Sequence, residues 1–184
     1  MKVNTPVILA GLSTPCSASI VANYRRCSPE AAISTNTAPH ALLLSSEDIG
    51  EGETWRKALP IIREGGHTSL FYGSFCKPFL DTISCHHHSV RKDLKTDVEG
   101  DFFRAAAGAS TLPFSLSAAW TFLVRNSKKS DPEAEINETQ ICKLAQKMST
   151  RPAELLGIGA KKGRIAQGMS ADFVVFDTDA LFTV

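Results

Sequence analysis

Short apolar runs alternate with segments of helical periodicity along the first half of this 184-residue chain. Residues 7–10 and 31–35 have the composition of buried strands, and residues 17–26 between them place apolar side chains at helical spacing. A further short apolar run occupies residues 80–83. Strands that alternate with helices predict a parallel α/β architecture, because parallel strands need a crossover connection between them.

The second half of the chain is predicted to be mainly helical until a final strand. Residues 115–124 have helical periodicity, whereas the charged residues 126–135 resemble a linker. Asn137 and Gln140 have the spacing of a capping box in front of an amphipathic stripe. The apolar run at residues 173–176 is typical of a strand.

Composition narrows the classes of function. Lys and Arg number 20 against 19 Asp and Glu, so the charge does not favour nucleic acid or an anionic membrane surface as a partner. No apolar run approaches the roughly 20 residues that span a bilayer, and the first residues make a poor signal peptide. The five cysteines are odd in number and widely spaced, which predicts reduced thiols in a cytoplasmic protein.

The most specific local pattern lies at residues 148–177. Ser149 or Thr150 is predicted to cap a short helix, and Gly157 is predicted to close it in the left-handed conformation. The letters R-P-A-E-L-L-G at residues 151–157 and the run K-G-R-I to A-D-F-V-V-F-D at residues 162–177 resemble the C-terminal end of cyclic amidohydrolases.

Three further segments give the chain its likeness to that family. They are N-T-A-P-H at residues 36–40, K-A-L-P-I-I-R-E at residues 57–64, and G-D-F-F-R-A-A-A-G at residues 100–108, which L-P-F-S-L follows at residues 112–116. With them the chain resembles the C-terminal portion of the allantoinases most, and dihydroorotases and dihydropyrimidinases next.

The resemblance implies a fold and a division of the chain. Residues 1–157 would form the last strand–helix units of a partial (β/α)8, or TIM-like, barrel, and residues 158–184 would form strands of a small accessory β domain. A complete barrel takes typically ~250 residues. Because a partial barrel leaves strand edges and apolar faces uncovered, we expect self-association or a homo-oligomer.

The resemblance also implies a chemistry. In such a site two divalent ions, usually zinc, hold a hydroxide that attacks a small cyclic amide, and an aspartate after the last barrel strand transfers the proton. For an allantoinase the reaction opens the ring of allantoin to give allantoate in purine breakdown. His40 matches the family histidine that binds metal.

Two other family positions are replaced. Gly11 stands where the strand at residues 7–13 would carry a second metal-binding histidine. His86 occupies the position of the catalytic aspartate, and His87 matches the neighbouring family histidine. A neutral imidazole can accept a proton, so His86 remains a candidate catalytic base. It is, however, larger than a carboxylate and directed differently.

The run from His86 to His88 allows a second interpretation. In an extended segment His86 and His88 point to one side, so with His40 they would give a three-nitrogen zinc site. The alternatives are that this run binds metal only weakly and that His40 is an ordinary loop histidine. Asp101 is either a helix cap or part of a loop at the substrate mouth, and the substrate-binding residues stay unassigned.

Three functional hypotheses follow. The chain is an allantoinase-like, metal-dependent amidohydrolase that acts on a cyclic amide; it is a non-catalytic homologue that serves as scaffold or oligomer partner; or it is a truncated gene product. The replacements at Gly11 and His86 predict impaired or absent turnover by this polypeptide.

Overall fold

A small parallel sheet organises the described part of the chain. The structure is a computed structural model that describes residues 5–181. The sheet contains β1 (Val7–Leu9), β2 (Ile33–Thr37) and β3 (Thr82–Ile83), in that order. The pairing of β1 with β2 aligns Leu9 with Thr35, and that of β2 with β3 aligns Thr37 with Ile83. The parallel α/β prediction is therefore confirmed.

Helices connect and cover these strands. In residues 5–181 they are α1 (Pro15–Cys27), α2 (Pro39–Leu43), α3 (Gly65–Cys76), α4 (Asp93–Thr96), α5 (Ser115–Ser130), α6 (Glu138–Ala145) and α7 (Arg151–Leu155), with 3-10 turns at Ser46–Asp48, Thr54–Arg56 and Leu112–Phe114 and a π-helical turn at Gln146–Thr150. The predicted helix at residues 17–26 corresponds to α1, and the capping box between Asn137 and Gln140 is present at the start of α6.

Two predictions for the helices were wrong at their edges. The segment predicted as a linker at residues 126–135 begins inside α5, where Asn126 is 6% exposed and its Nδ2 donates to the carbonyl of Phe122 over 2.8 Å. The first residues of this polar segment therefore belong to a helix, and residues 131–135 follow after the end of α5. Thr150 does not cap a separate helix, because α6 continues through the π-helical turn into α7.

The structure confirms the predicted end of α7 but not the strand predicted after it. Gly157 has φ +70°, the left-handed conformation predicted for the residue that closes the helix. Residues 173–176 do not form a strand within residues 5–181. Instead the ring of Phe176 packs edge-on against Trp120 at 5.6 Å, and Trp120 Nε1 donates to the carbonyl of Thr178 over 3.2 Å. An apolar run forms a strand only where another strand offers hydrogen bonds, and no described strand lies beside this one.

The hydrophobic core lies between β3 and the helices on one side of the sheet. Phe122 of α5 is 1% exposed and meets the rings of Tyr72 and Phe75 edge-on at 6.2 and 6.1 Å. The buried side chains of this cluster are Leu42, Phe71, Phe75, Leu80, Ile83, Ala119, Phe122, Leu123 and Leu144. These contacts hold α2, α3, α5 and α6 against β3.

Charged groups fix the N-terminal end of β3. The carboxylate of Asp81 forms an ion pair with Arg25 of α1 and accepts hydrogen bonds from Thr35, from its N–H at 2.7 Å and from its Oγ1 at 2.9 Å. Lys147 is 5% exposed, and its ammonium donates to the carbonyl of Leu80 and lies 5.4 Å from the centre of the Phe75 ring. The pKa of Lys147 is lowered, first by burial, while the Asp81 carboxylate acts in the opposite direction.

Strand β1 forms the other border of the described sheet. Its side chains Val7, Ile8 and Leu9 are 45%, 50% and 38% exposed, although all three are apolar. No described strand pairs with its second edge. Among the described residues no helix is long and apolar enough to cross a membrane.

Candidate active site at the strand ends

Three chain segments meet beyond the C-terminal ends of the strands. The N–H of Leu12 donates to the carbonyl of Asn36 over 2.9 Å, and Thr37 Oγ1 donates to the carbonyl of Leu12 over 2.6 Å. The N–H of Ser84 donates to the carbonyl of Thr37 over 3.1 Å. The segments after β1, β2 and β3 therefore lie side by side at the end of the sheet where parallel α/β folds place their sites.

His40 is buried and has one ring nitrogen without a partner. It lies in the first turn of α2, directly after Pro39, and is 4% exposed. Its Nε2 lies 3.0 Å from the carbonyl oxygen of Pro60. Because a carbonyl oxygen only accepts, Nε2 is the protonated nitrogen and Nδ1 carries the lone pair. Nδ1 is buried and has no hydrogen-bond partner among the described residues.

His86 is held by an amide. Its Nε2 donates to Oδ1 of Asn36. The orientation of that amide follows from Thr82, whose Oγ1 donates to the carbonyl of Thr35 over 3.3 Å and so accepts from Asn36 Nδ2 at 3.0 Å. Ser84 Oγ lies 2.9 Å from Nδ2 and 3.2 Å from Oδ1. Sequence analysis missed Asn36 as a functional residue, because only the folded chain brings it to His86, 50 positions away.

Gly11 borders the ring of His86. A Cβ atom at Gly11 would lie 3.6 Å from Cε1 of His86 and 3.6 Å from Cβ of Pro60. Gly11 has φ +74°, so any side chain at this position would be strained, although a Cβ atom alone would make only ordinary van der Waals contacts. Gly11 and His86, the two positions predicted to depart from the family pattern, are therefore neighbours, and Pro60 lies close to Gly11 and to His40.

The histidine run does not form the predicted three-nitrogen arrangement. His86 has φ +47°, so the segment is not extended there and the alternation assumed for an H-x-H pair is lost. His87 Nδ1 accepts from the N–H of Leu112 over 3.3 Å, while the N–H of His88 donates to Ala109 over 3.0 Å. The structure brings His40 and His86 near each other but directs His88 toward the segment at Gly108.

The donors present suit part of a metal site. Metal-binding histidines usually donate their second ring N–H to a carbonyl or carboxylate, and His40 does so at Pro60. A catalytic zinc takes three protein ligands and a structural zinc four. Among residues 5–181 no group of three His, Cys, Asp or Glu side chains is placed to hold a metal ion. His40 thus fits one ligand position, and the described residues do not complete the set.

Burial favours the neutral form of both site histidines. The pKa of His40 is lowered, mainly by burial and further by the nearby His86, while the hydrogen bond to Pro60 opposes the shift. Burial also lowers the pKa of His86. Neutral imidazoles are the forms that bind metal or accept a proton.

The lowered pKa of His40 predicts a pH dependence of stability. The unfolded chain binds a proton at His40 near the ordinary value of 6.5, whereas the folded chain resists it until lower pH. The free energy of unfolding should therefore fall as the pH drops below about 6.5, because the unfolded state binds more protons there. Urea unfolding at about pH 7.5 and about pH 5.5 measures this loss. His40→Gln should show a smaller loss, and an unchanged loss would contradict the assignment to His40.

Two lysines build the rim beside the site. The ammonium of Lys57 donates to the carbonyls of Phe102 at 2.5 Å and Ala105 at 2.7 Å. Lys95 Nζ donates to the carbonyls of Lys57, at 3.1 Å, and Gly108. The carbonyl groups of the loop at residues 102–108 are thereby tied to two ammonium groups, which fixes the loop against the segment of the histidine run.

Asp101 stabilises the same loop. Its Oδ1 accepts from the N–H groups of Phe103 at 2.7 Å and Arg104 at 3.3 Å. This is the capping role that sequence analysis offered as the structural alternative, although it caps a turn rather than a regular helix.

This fold and site define a class of protein, and comparison with known proteins agrees. A sequence profile described as "Amidohydrolase family" matches residues 81–184 of the chain. The chain belongs to the amidohydrolase family. The structure resembles L-hydantoinase (dihydropyrimidinase) from Arthrobacter aurescens, with a TM-score of 0.75 at 20% identity over 92% of this chain and 35% of that one. The prediction of an α/β partial barrel is confirmed.

Curated relatives narrow the likeness within the family. The chain is 34% identical to the allantoinase of Streptomyces avermitilis over 152 residues, which is 83% of this chain and 31% of the relative. It is 30% identical to the allantoinase of Arabidopsis thaliana over 83% of this chain and 28% of the relative. The chain thus spans about a third of the length of these two relatives, both of which are allantoinases.

Proposed function

We propose that this chain is the C-terminal barrel portion of an allantoinase-type amidohydrolase, whose substrate is a small cyclic amide such as allantoin. The observation that supports this best is His40. Its Nε2–H is fixed by the carbonyl of Pro60, and its Nδ1 is buried without a partner at the end of the sheet. An orphaned buried acceptor normally destabilises a fold, so its presence favours a site that a ligand completes.

We further propose that this polypeptide alone does not hydrolyse the cyclic amide. Gly11 supplies no ligand at the end of β1, and the imidazole at His86 replaces a carboxylate and is bound to Asn36. Zinc, the metal expected from the family, takes three protein ligands in a catalytic site, and no group of three such side chains is placed for it among residues 5–181. At least one further ligand would have to come from residues other than those described.

Ring opening of allantoin tests this proposal. The purified, untagged chain is assayed with added zinc beside a His40→Ala variant, which removes the donor that matches the family's metal-binding histidine. We expect no allantoate above the level of the variant. Turnover that disappears in His40→Ala would show that the chain holds a complete site, and would overturn the claim of inactivity.

A scaffold role is the second candidate, and the exposure of β1 favours it. Val7, Ile8 and Leu9 present an apolar surface on a strand that has no described partner at its outer edge. Such an edge pairs readily with another chain. A homologue that associates through this edge would contribute structure rather than chemistry to an assembly.

A further inference from the structure

Compared with the family pattern, Gly11 has a smaller side chain than the expected histidine, and His86 has a larger one than the expected aspartate. The position at the end of β1 loses an imidazole and becomes Gly11, while the position after β3 gains one and becomes His86. In the folded chain these positions touch, because a Cβ at Gly11 would lie 3.6 Å from Cε1 of His86. The ring of His86 therefore stands next to the space that a histidine side chain at position 11 would enter.

The backbone and one neighbour direct His86 to this place. His86 adopts φ +47°, a conformation that non-glycine residues rarely adopt and that turns the side chain out of the strand alternation. Asn36 Oδ1 then accepts the Nε2–H of His86. The amide cannot easily rotate away, since its Nδ2 is bound to Thr82 and Ser84.

We propose that His86 replaces in space the imidazole missing from the end of β1, and that Asn36 is the residue that positions it. The inference rests on the proposed function, because the family pattern defines which histidine is missing. His86 then occupies the place of a β1 ligand rather than the role of the aspartate whose position it holds in the sequence.

This arrangement fixes which nitrogen of His86 is available. Since Nε2–H donates to Asn36, the lone pair is on Nδ1. His40 has the same tautomer, with Nε2–H on Pro60 and the lone pair on Nδ1. The strand ends thus present two imidazoles with the same tautomer.

Nuclear magnetic resonance of the full chain tests the geometry directly. We expect a nuclear Overhauser contact between an Hα of Gly11 and Hε1 of His86, and a His86 ring that is protonated at Nε2 only. Comparison with His86→Gln assigns the ring signals. Absence of the contact, or a His86 ring protonated at Nδ1, would overturn the proposal.

Variants at Asn36 separate positioning from general stability. Asn36→Ala removes the acceptor, so the His86 ring should become a mixture of tautomers and the contact with Gly11 should be lost. Asn36→Asp, measured at alkaline pH where the His86 ring is neutral, is the matched control, because its carboxylate still accepts from Nε2–H and should keep the single tautomer. A single Nε2–H tautomer in Asn36→Ala would show that Asn36 does not position the ring.

A paired substitution gives an independent measure. Gly11→His should lower the melting temperature more when His86 is present than in a His86→Asp background, where the space is free; equal losses would contradict the proposal. These readouts are independent of activity. Turnover of allantoin would overturn the claim of inactivity, while the resonance measurements would still decide the position of His86. Absence of the contact between Gly11 and His86 would overturn the position of His86 and leave the proposed function to the allantoin assay.

Discussion

Asp81→Ala is expected to destabilise the chain by about 3 kcal/mol, the lower end of the range for removing one partner of a buried ion pair. The Asp81 side chain is 14% exposed and that of Arg25 is 22% exposed, so the pair is largely shielded from water. The substitution leaves the guanidinium without a counter-charge and the N–H of Thr35 without its acceptor at 2.7 Å. Urea unfolding of the variant and the parent chain measures the loss.

Asp81→Asn is the matched control for this prediction. The amide keeps the volume and one acceptor oxygen for Thr35, and loses only the charge opposite Arg25. Asp81→Asn should therefore lower the free energy of unfolding less than Asp81→Ala does. A cycle with Arg25→Ala then isolates the pair, whose coupling should lie in the range of about 0.5–3 kcal/mol for residues in one network. Strict additivity of the two single losses would contradict the pairing.

Gly108→Ala should displace the histidine run and destabilise the chain by up to about 3 kcal/mol, the usual upper range for overpacking. A Cβ at Gly108 would lie 2.5 Å from the carbonyl oxygen of His88 and 2.5 Å from Cγ2 of Val90. The loop cannot easily retreat, because the N–H of Gly108 donates to Lys57 over 3.0 Å and its carbonyl accepts from Lys95. The strain should therefore pass to residues 86–90.

Gly73→Ala provides the opposite control. Gly73 lies inside α3, and a Cβ there would meet nothing within 4 Å. Alanine should stabilise the chain by about 0.5–1 kcal/mol, because it restricts the unfolded chain and favours the helix. Thermal unfolding compares both variants with the parent. If Gly108→Ala matched the parent in stability, the close approach at His88 would not exist in solution.

The fold was predictable where the local sequence pattern favours the same structure as the tertiary contacts. The strand β1 and the helix α1 follow from apolar spacing, and α1 is also capped by Thr14, whose side chain accepts from the N–H of Ser17. The prediction was wrong where the structure of a segment depends on residues far away in the sequence. Residues 173–176 have the composition of a strand, yet composition does not reveal whether a neighbouring strand is present.

For the candidate site, sequence alone supported a prediction of positions but not of contacts. The family resemblance predicted roles for Gly11, His40 and His86. It could not show that Gly11 touches His86, or that an amide 50 residues earlier holds the ring. The positive φ of His86 is set by the folded loop, and it removed the alternation on which the His86–His88 pair depended.

The position of the site is controlled in part from the opposite end of β3. This strand has only two residues, Thr82 and Ile83, so its backbone pairing alone gives a weak definition of register. A slip by one residue would draw the carbonyl of Leu80 away from the ammonium of Lys147 and the carboxylate of Asp81 away from Arg25. These two charged contacts penalise such a slip, and they thereby determine where the chain emerges at His86.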